Sequence, residues 1–268
     1  MSVILKVGKN TFKVSENIMK YDERIISHTY NIGGDYEPCV TVSYKYSDNV
    51  PISASLPHLL YEPECSIGFS LENGQGTENM IKSILRHAFK KVPNISTFSF
   101  DDMSHIDCNE KDISKSPPRK AIKPLNLAYF SIIYHGMTWY ERVFHAEMKD
   151  KNSYRLYKER LSFLGDPAAK PSFHAFLEIA QPPKEQIEYL EALYIPTKTY
   201  REFFQNIHRE QRCTVLYHWL HTFMKHYIGD IFTEKGWEID IHRMSTGGGR
   251  GRRTTAYRVF HFRQRHNF

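Results

Sequence analysis

Residues 71–100 read LENGQGTENMIKSILRHAFKKVPNISTFSF and place a glycine turn, a helix and a strand in immediate succession. From Met80 to Val92 the apolar side chains recur at steps of three and four, which predicts an amphipathic helix over 77–92. Pro93 and Asn94 end this helix. The segment that follows is rich in β-formers and predicts a short strand. A helix entered through glycines and followed by a strand is therefore the unit around which the first half of the chain is organised.

The segments on either side of this unit differ in the spacing of their apolar residues. Residues 1–70 hold β-branched or alternating runs separated by turn residues, which predicts several strands: VILKVG, TFKV, CVTVSYKY and SASLPHLL. Downstream, a polar stretch with three prolines over 101–124 predicts an exposed loop. Helices are predicted at 125–134 and 139–148, because apolar residues again recur at helical spacing.

Beyond about residue 151 the pattern is helical with short breaks, and its longest apolar stripe lies over 212–228. After this stripe, apolar residues recur at every second position. Alternation at 237–242 and again at 257–262 predicts a β-hairpin whose tip is STGGGRGRR.

The predicted fold class is therefore α+β. We expect an N-terminal domain over 1–150, with a mixed β-sheet and helices, and a helical C-terminal region over 151–268 that ends in the hairpin. Only the polar segment 148–153 marks the boundary, so a single continuous body is the alternative.

Composition limits the classes of protein to consider. The chain has 268 residues, of which 41% are hydrophobic and 14% aromatic, values typical of a folded protein with a sizeable core. No run approaches the roughly 18 apolar residues that a membrane span needs. The four cysteines have no short spacing, which predicts neither a disulfide framework nor a zinc knuckle. We therefore expect an intracellular protein, in the cytoplasm or nucleus, and we predict no metal site.

The turn before the helix has the chemistry of an anion site. Glycine lets the backbone approach a ligand closely, and the N–H groups of a helix's first turn are donors at the positive end of the helix dipole. The candidate contacts are the backbone amides of Gly74, Gln75, Gly76 and Thr77. A pyrophosphate fits this arrangement.

On these residues the chain resembles the GNAT superfamily of acyl-CoA-dependent N-acyltransferases. The family's strand-to-helix turn carries Gln/Arg-x-x-Gly-x-Gly/Ala and binds the pyrophosphate of CoA, and LENGQG at 71–76 is similar to it. A later family helix carries an Asn and a Tyr, and LNLAYFSIIYHGMTWYERVF at 125–144 is similar to that helix. The resemblance covers about 38–148. It implies a GNAT-like N-terminal fold, acetyl-CoA as cofactor, and acyl transfer to an amine of a protein or small molecule.

The resemblance also suggests catalytic residues. Tyr140 is the candidate acid that protonates the departing thiolate, with Tyr134 as the alternative. The base for the amine is not fixed by the motif. Asp102, Asp101 or Glu64 can serve, directly or through water.

The C-terminal segment 245–268 points to a different class of function. It holds six arginines and no acidic residue, whereas the whole chain has a net charge of +6, so 6 − 6 leaves the first 244 residues neutral. Arginine clusters pair with phosphate oxygens. The candidate nucleic-acid contacts are Arg250, Arg252, Arg253 and Arg258.

Several alternative functions therefore remain for the C-terminal half of the chain. Helices at 199–207 and 212–228 followed by the hairpin have the order of a winged-helix module, which implies nucleic-acid binding without catalysis. An acidic protein surface is the alternative partner for the arginines. The Tyr/Phe-rich and Lys/Ile/Asn-rich style faintly resembles uncharacterised proteins of large DNA viruses. That resemblance implies a host-cell setting and a structural or assembly role.

Overall fold

The computed structural model describes residues 2–33, 37–59, 63–68, 71, 74–101, 105–106, 125–229 and 236–246. It is a mixed α/β structure, which confirms the coarse prediction of an N-terminal sheet with helices. The chain forms two compact units. The first draws on 1–103, 143–147 and 236–268, and the second on 104–142 and 148–235. The predicted boundary near residue 150 stays a prediction.

An antiparallel meander begins the first unit. Its strands are β1 (Ser2–Val7), β2 (Asn10–Tyr21), β3 (Arg24–Gly33), β4 (Pro38–Ser47) and β5 (Val50–Leu59). Helix α1 (Gln75–Lys91) and strand β6 (Thr97–Phe100) follow. The sequence missed the outer half of β2, where most side chains are exposed on both faces and the alternation is lost, and it also missed β3.

The sheet has eight strands in the order β1-β2-β3-β4-β5-β6-β10-β9, where β9 is Glu147–Met148 and β10 is Trp237–Asp240. Strands β5 and β6 are parallel and are joined by α1, whereas β6 and β10 are antiparallel. The last two strands of this order, β10 and β9, are neighbours in the sheet but are separated in sequence by residues 149–236.

Helix α1 packs on one face of the sheet and forms the core of the first unit. Its sheet-facing side chains are fully or almost fully buried: Met80, Ile81, Ile84, Leu85 and Ala88. The sheet contributes Phe12, Val14, Tyr30, Ile32, Val42, Tyr44, Phe98 and Ile239, each at most 1% exposed. This burial explains why the helical period over 77–92 is so clear in the sequence.

The second unit is mainly helical. It begins with two short strands, β7 (His105–Ile106) and β8 (Leu125–Asn126). The helices that follow are α2 (Leu127–His135), α3 (Trp139–Phe144), α4 (Lys151–Arg160), α5 (Phe173–Ala180), α6 (Ile187–Tyr194), α7 (Tyr200–Asn206), α8 (Arg212–Leu216) and α9 (Leu220–Ile228). The last two residues of α3 belong to the first unit. Its core is aromatic. The Trp219 ring lies 5.5 Å from Phe176 and 6.0 Å from both Phe204 and Phe223.

Two details of the predicted C-terminal half are wrong. The helix expected over 212–228 is broken into α8 and α9, because Trp219 takes φ −130° and buries its ring completely. The strand expected over 237–242 ends at Asp240, whose carboxylate accepts the N–H of His242 and caps a short helix, α10 (Ile241–Thr246). The second arm of the predicted hairpin, 257–262, lies outside the described residues.

The prediction from cysteine spacing is also wrong. Cys39 and Cys65 form a disulfide across 26 residues of sequence. The β4–β5 hairpin carries the chain back to the end of the sheet at which β4 begins, so distant cysteines meet there. Cys213 is disulfide-bonded as well.

Candidate functional site

Strands β5 and β6 are paired over a short distance only. Their ladder consists of Ala54 with Phe98 and Ser55 with Ser99. Strand β5 continues to Leu59, and β6 ends one residue later, at Phe100. The edge of β5 beyond Ser55 is therefore not closed by β6. Because α1 connects these two parallel strands, its N-terminus lies at the end of the sheet where they stop pairing.

The first turn of α1 presents backbone donors at this end. Gly74 precedes the helix with φ +79°, a conformation that favours glycine. Its carbonyl accepts the N–H of Glu78 at 2.9 Å, which is the first bond of the helical ladder. The N–H groups of Gln75, Gly76 and Thr77 precede that ladder. They lie at the positive end of a 17-residue helix, where anions are stabilised.

Thr77 adds a buried hydroxyl to this turn. It is 1% exposed, and its Oγ1 has no hydrogen-bond partner among the described residues. A buried hydroxyl without a partner is energetically unfavourable, so Thr77 Oγ1 is a candidate contact for a bound group. The nearby charge of Glu78 is offset by Lys82, whose Nζ lies 2.5 Å from Oε1 of Glu78.

Gly76 is required for the packing of the first turn of α1. A Cβ at this position would lie 2.9 Å from Cδ1 of Leu71. Leu71 is itself buried, at 7% exposure, so there is little room for it to move. The sequence predicted Gly76 in the turn before the helix, whereas it lies in the first turn of α1. The contact with Leu71 could not be predicted from the sequence.

The connection between β5 and α1 is fastened to the sheet. Cys65 is bonded to Cys39 of β4, and the next residue, Ser66, is 1% exposed. The Ser66 hydroxyl accepts the N–H of Thr11 and donates to its carbonyl, both at 3.3 Å. The N–H of Ile67 also donates to the Thr11 carbonyl, at 2.7 Å. Nothing in the sequence pattern pointed to these contacts.

The other predicted site residues fall in different places. Tyr140 lies on α3 in the second unit, is 6% exposed, and packs edge-to-face on Trp139 with ring centres 5.0 Å apart. Tyr134 lies under the guanidinium of Arg212, at 3.7 Å. Asp101 is exposed directly after β6, and Glu64 is exposed in a short 3₁₀ turn. Asp102, Arg250, Arg252, Arg253 and Arg258 lie outside the described residues.

A second group of ionisable side chains lies under the C-terminal half of α1. His28 bonds to Glu16 at 2.7 Å, and the ring of Tyr30 packs between His28 and His87. Burial, then the Glu16 charge, raises the pKa of Tyr30, and burial lowers the pKa of His87. His87 is twelve residues from Gln75, about 18 Å along the helix. This group therefore takes no part in the chemistry of the turn.

Comparison of the chain with protein-family models, with curated proteins and with solved structures gives no match. Over the ranges that the structure describes, no group of three His, Cys, Asp or Glu residues is arranged to hold a metal ion. Within the same ranges, no helix is both long enough and apolar enough to cross a bilayer. The function is therefore argued from the geometry of the turn and the open strand edge.

Proposed function

We propose that the chain is an acyl-CoA-dependent N-acyltransferase on a scaffold similar to GNAT, with acetyl-CoA as the cofactor. The observation that carries the proposal is the parallel pair β5–β6, which stops pairing at the N-terminus of α1. On this proposal, the edge of β5 beyond Ser55, which β6 does not pair, and the donors of Gln75, Gly76 and Thr77 bind successive parts of one ligand. CoA has matching groups in the same order, namely the amides of its pantetheine arm and then a pyrophosphate.

Each part of CoA is proposed to bind the protein groups that match its chemistry. The pyrophosphate takes the N–H groups of the turn and the positive end of α1. The pantetheine amides bond to the backbone of β5 beyond Ser55, as an added strand does at an open sheet edge. The Thr77 hydroxyl donates to a phosphate oxygen, which satisfies a group that is buried without a partner.

Acyl transfer then needs an amine, a base and an acid. The amine nitrogen bonds to the thioester carbonyl carbon, and the base, proposed as Asp102, takes the amine proton. The C–S bond breaks as the tetrahedral intermediate collapses, and a general acid gives a proton to the thiolate. Tyr140, which the resemblance to GNAT suggests for this role, stays a prediction. The products are an N-acyl amine and free CoA.

Acetyl-CoA binding is tested by thermal unfolding with a charge change in the turn. Acetyl-CoA at millimolar concentration is expected to raise the melting temperature of the native protein. Gln75→Glu places a carboxylate among the phosphate donors and should abolish most of this rise. The variant itself should be as stable as the native protein, because a carboxylate at a helix N-terminus is favourable by about 0.3–1 kcal/mol.

Lys90→Gln is the matched control, since it makes the same change in net charge at the exposed C-terminal end of α1. It should leave the rise unchanged. Absence of any rise in the native protein would refute the proposal. An equal loss in both variants would show that binding depends on overall charge and not on the turn.

Nucleic-acid binding through the C-terminal arginines is the second candidate function. It is favoured by the concentration of the chain's whole positive excess in 245–268, a segment without acidic residues. This candidate requires no catalysis, and it is compatible with acetyl-CoA binding at the turn.

A further inference from the structure

The turn at the start of α1 depends on a connection that is tied to the sheet at separate points. One tie is covalent: Cys65 to Cys39, at the beginning of β4. The second is the set of bonds from Ser66 and Ile67 to the backbone of Thr11, on β2. We call Cys39, Cys65 and Ser66 the clamp. Downstream of the clamp, Leu71 packs against Gly76 inside the first turn of α1.

These contacts hold the described part of the connection, at 63–68 and 71. Gly74 holds φ +79°, and among the described residues no heavy atom lies within 4 Å of its Cβ position. The described contacts that precede the turn are therefore these ties and the packing of Leu71 against Gly76. Donors that are already oriented bind an anion without paying the entropy of ordering the loop.

We propose that Cys39, Cys65 and Ser66 are positioning residues that orient the Gly74–Thr77 turn, and that reduction of the disulfide loosens the turn and weakens anion binding there. The second half of this proposal rests on the proposed function. The reductant is a dithiol: its two thiols become a disulfide, and two electrons and two protons pass to Cys39 and Cys65 as thiols.

Because the Cys39–Cys65 disulfide is buried, its rate of reduction should depend on whether an anion is bound to the turn. Cys39 is 0% and Cys65 2% exposed, so a thiolate reaches either sulfur only when the connection opens. An anion bound to the turn favours the closed connection and must therefore slow reduction. The coupling is reciprocal: the closed clamp improves anion binding by the same factor.

Hydrogen exchange measured by mass spectrometry tests the positioning role. In Cys39→Ala/Cys65→Ala the amides of 78–80, the first in the helical ladder, should exchange about tenfold faster relative to those of 86–91 in the same helix. Ile239→Ala removes a buried side chain from β10 in the same unit and is the control for general destabilisation. This variant should increase the rate of hydrogen exchange by the same factor in both segments. An unchanged ratio in the cysteine variant would overturn the clamp.

Ser66 supplies a second, conservative test. Ser66→Ala should raise the same exchange ratio, and Ser66→Thr, which keeps the hydroxyl, should restore it. Failure of Ser66→Ala to change the ratio would remove Ser66 from the clamp.

Reduction kinetics test the coupling to ligand. The loss of the Cys39–Cys65 disulfide in dithiothreitol, followed by alkylation and peptide mass, should slow severalfold with acetyl-CoA present. The cysteine variant should bind acetyl-CoA about tenfold more weakly. If the native protein does not bind acetyl-CoA, the proposed function fails and the exchange ratio still decides the clamp. If it binds but the rate of reduction is unchanged, only the coupling is refuted.

Discussion

Glu141 is a buried carboxylate with a full set of donors. It is 5% exposed, and its Oε2 accepts the Thr138 N–H at 2.9 Å and the Tyr157 hydroxyl at 2.6 Å. Its Oε1 accepts Lys158 Nζ at 2.8 Å and the Tyr154 hydroxyl at 3.2 Å. Burial, then the charge of Glu141, raises the pKa of Tyr157, so that hydroxyl remains a donor. The carboxylate thereby joins the start of α3 to α4.

Removing this carboxylate should destabilise the second unit. Glu141→Ala removes the carboxylate that accepts from the Tyr157 hydroxyl and the Thr138 N–H, and we expect a loss of about 3 kcal/mol in the free energy of unfolding, measured with urea. Glu159→Gln is the control, because Glu159 forms an exposed ion pair with Arg155 on the same helix. It should change stability by less than about 0.5 kcal/mol. Similar losses in both variants would contradict a special role for Glu141.

At the element scale, the two long hairpins have the same tight turn. Asp22 and Glu23 join β2 to β3 with φ of 45° and 65°, and Asp48 and Asn49 join β4 to β5 with φ of 49° and 63°. Positive φ at both central positions is the type I′ geometry that suits the twist of a hairpin. Glu23 is poorly suited to its position, because a residue with a long side chain rarely takes the left-handed conformation.

Glu23→Gly should therefore stabilise the first unit. We expect a gain of about 1 kcal/mol in the free energy of unfolding, since glycine takes positive φ without steric penalty. Gly8→Ala, in the β1–β2 turn at φ 58°, is the converse change and should lower stability by a similar amount. Chemical denaturation of both variants checks the pair. A loss of stability in Glu23→Gly would show that unfolded-chain entropy outweighs the turn strain.

The same elements show how far the sequence could predict this structure. Helix α1 was predicted nearly to its ends, because one face is buried along its whole length. The outer half of β2 was missed, because Ile18, Met19 and Tyr21 are all exposed and do not alternate. The turn residues of the candidate site follow from local chemistry. The clamp does not, because its bonds join residues 26 and 55 positions apart that only the finished sheet brings together.

At the scale of the whole molecule, charge is unevenly distributed. The first 244 residues are formally neutral, and the six arginines of 245–268 carry the net +6. The proposed nucleic-acid binding through this short segment should depend on salt, because contacts to phosphates release counterions.

Replacing three of these arginines should weaken nucleic-acid binding at low salt. In Arg250→Ala/Arg252→Ala/Arg253→Ala, the plot of log affinity against log salt should become shallower by about 2–3, as expected for three lost phosphate contacts. Fluorescence anisotropy with a labelled oligonucleotide measures both quantities, and a single-stranded and a duplex probe separate the two forms of partner. Lys13→Ala/Lys20→Ala/Lys45→Ala removes the same charge from exposed positions of the sheet and should keep the native slope. If the two triple variants lose affinity equally, net charge alone governs binding, and the arginine segment has no specific role.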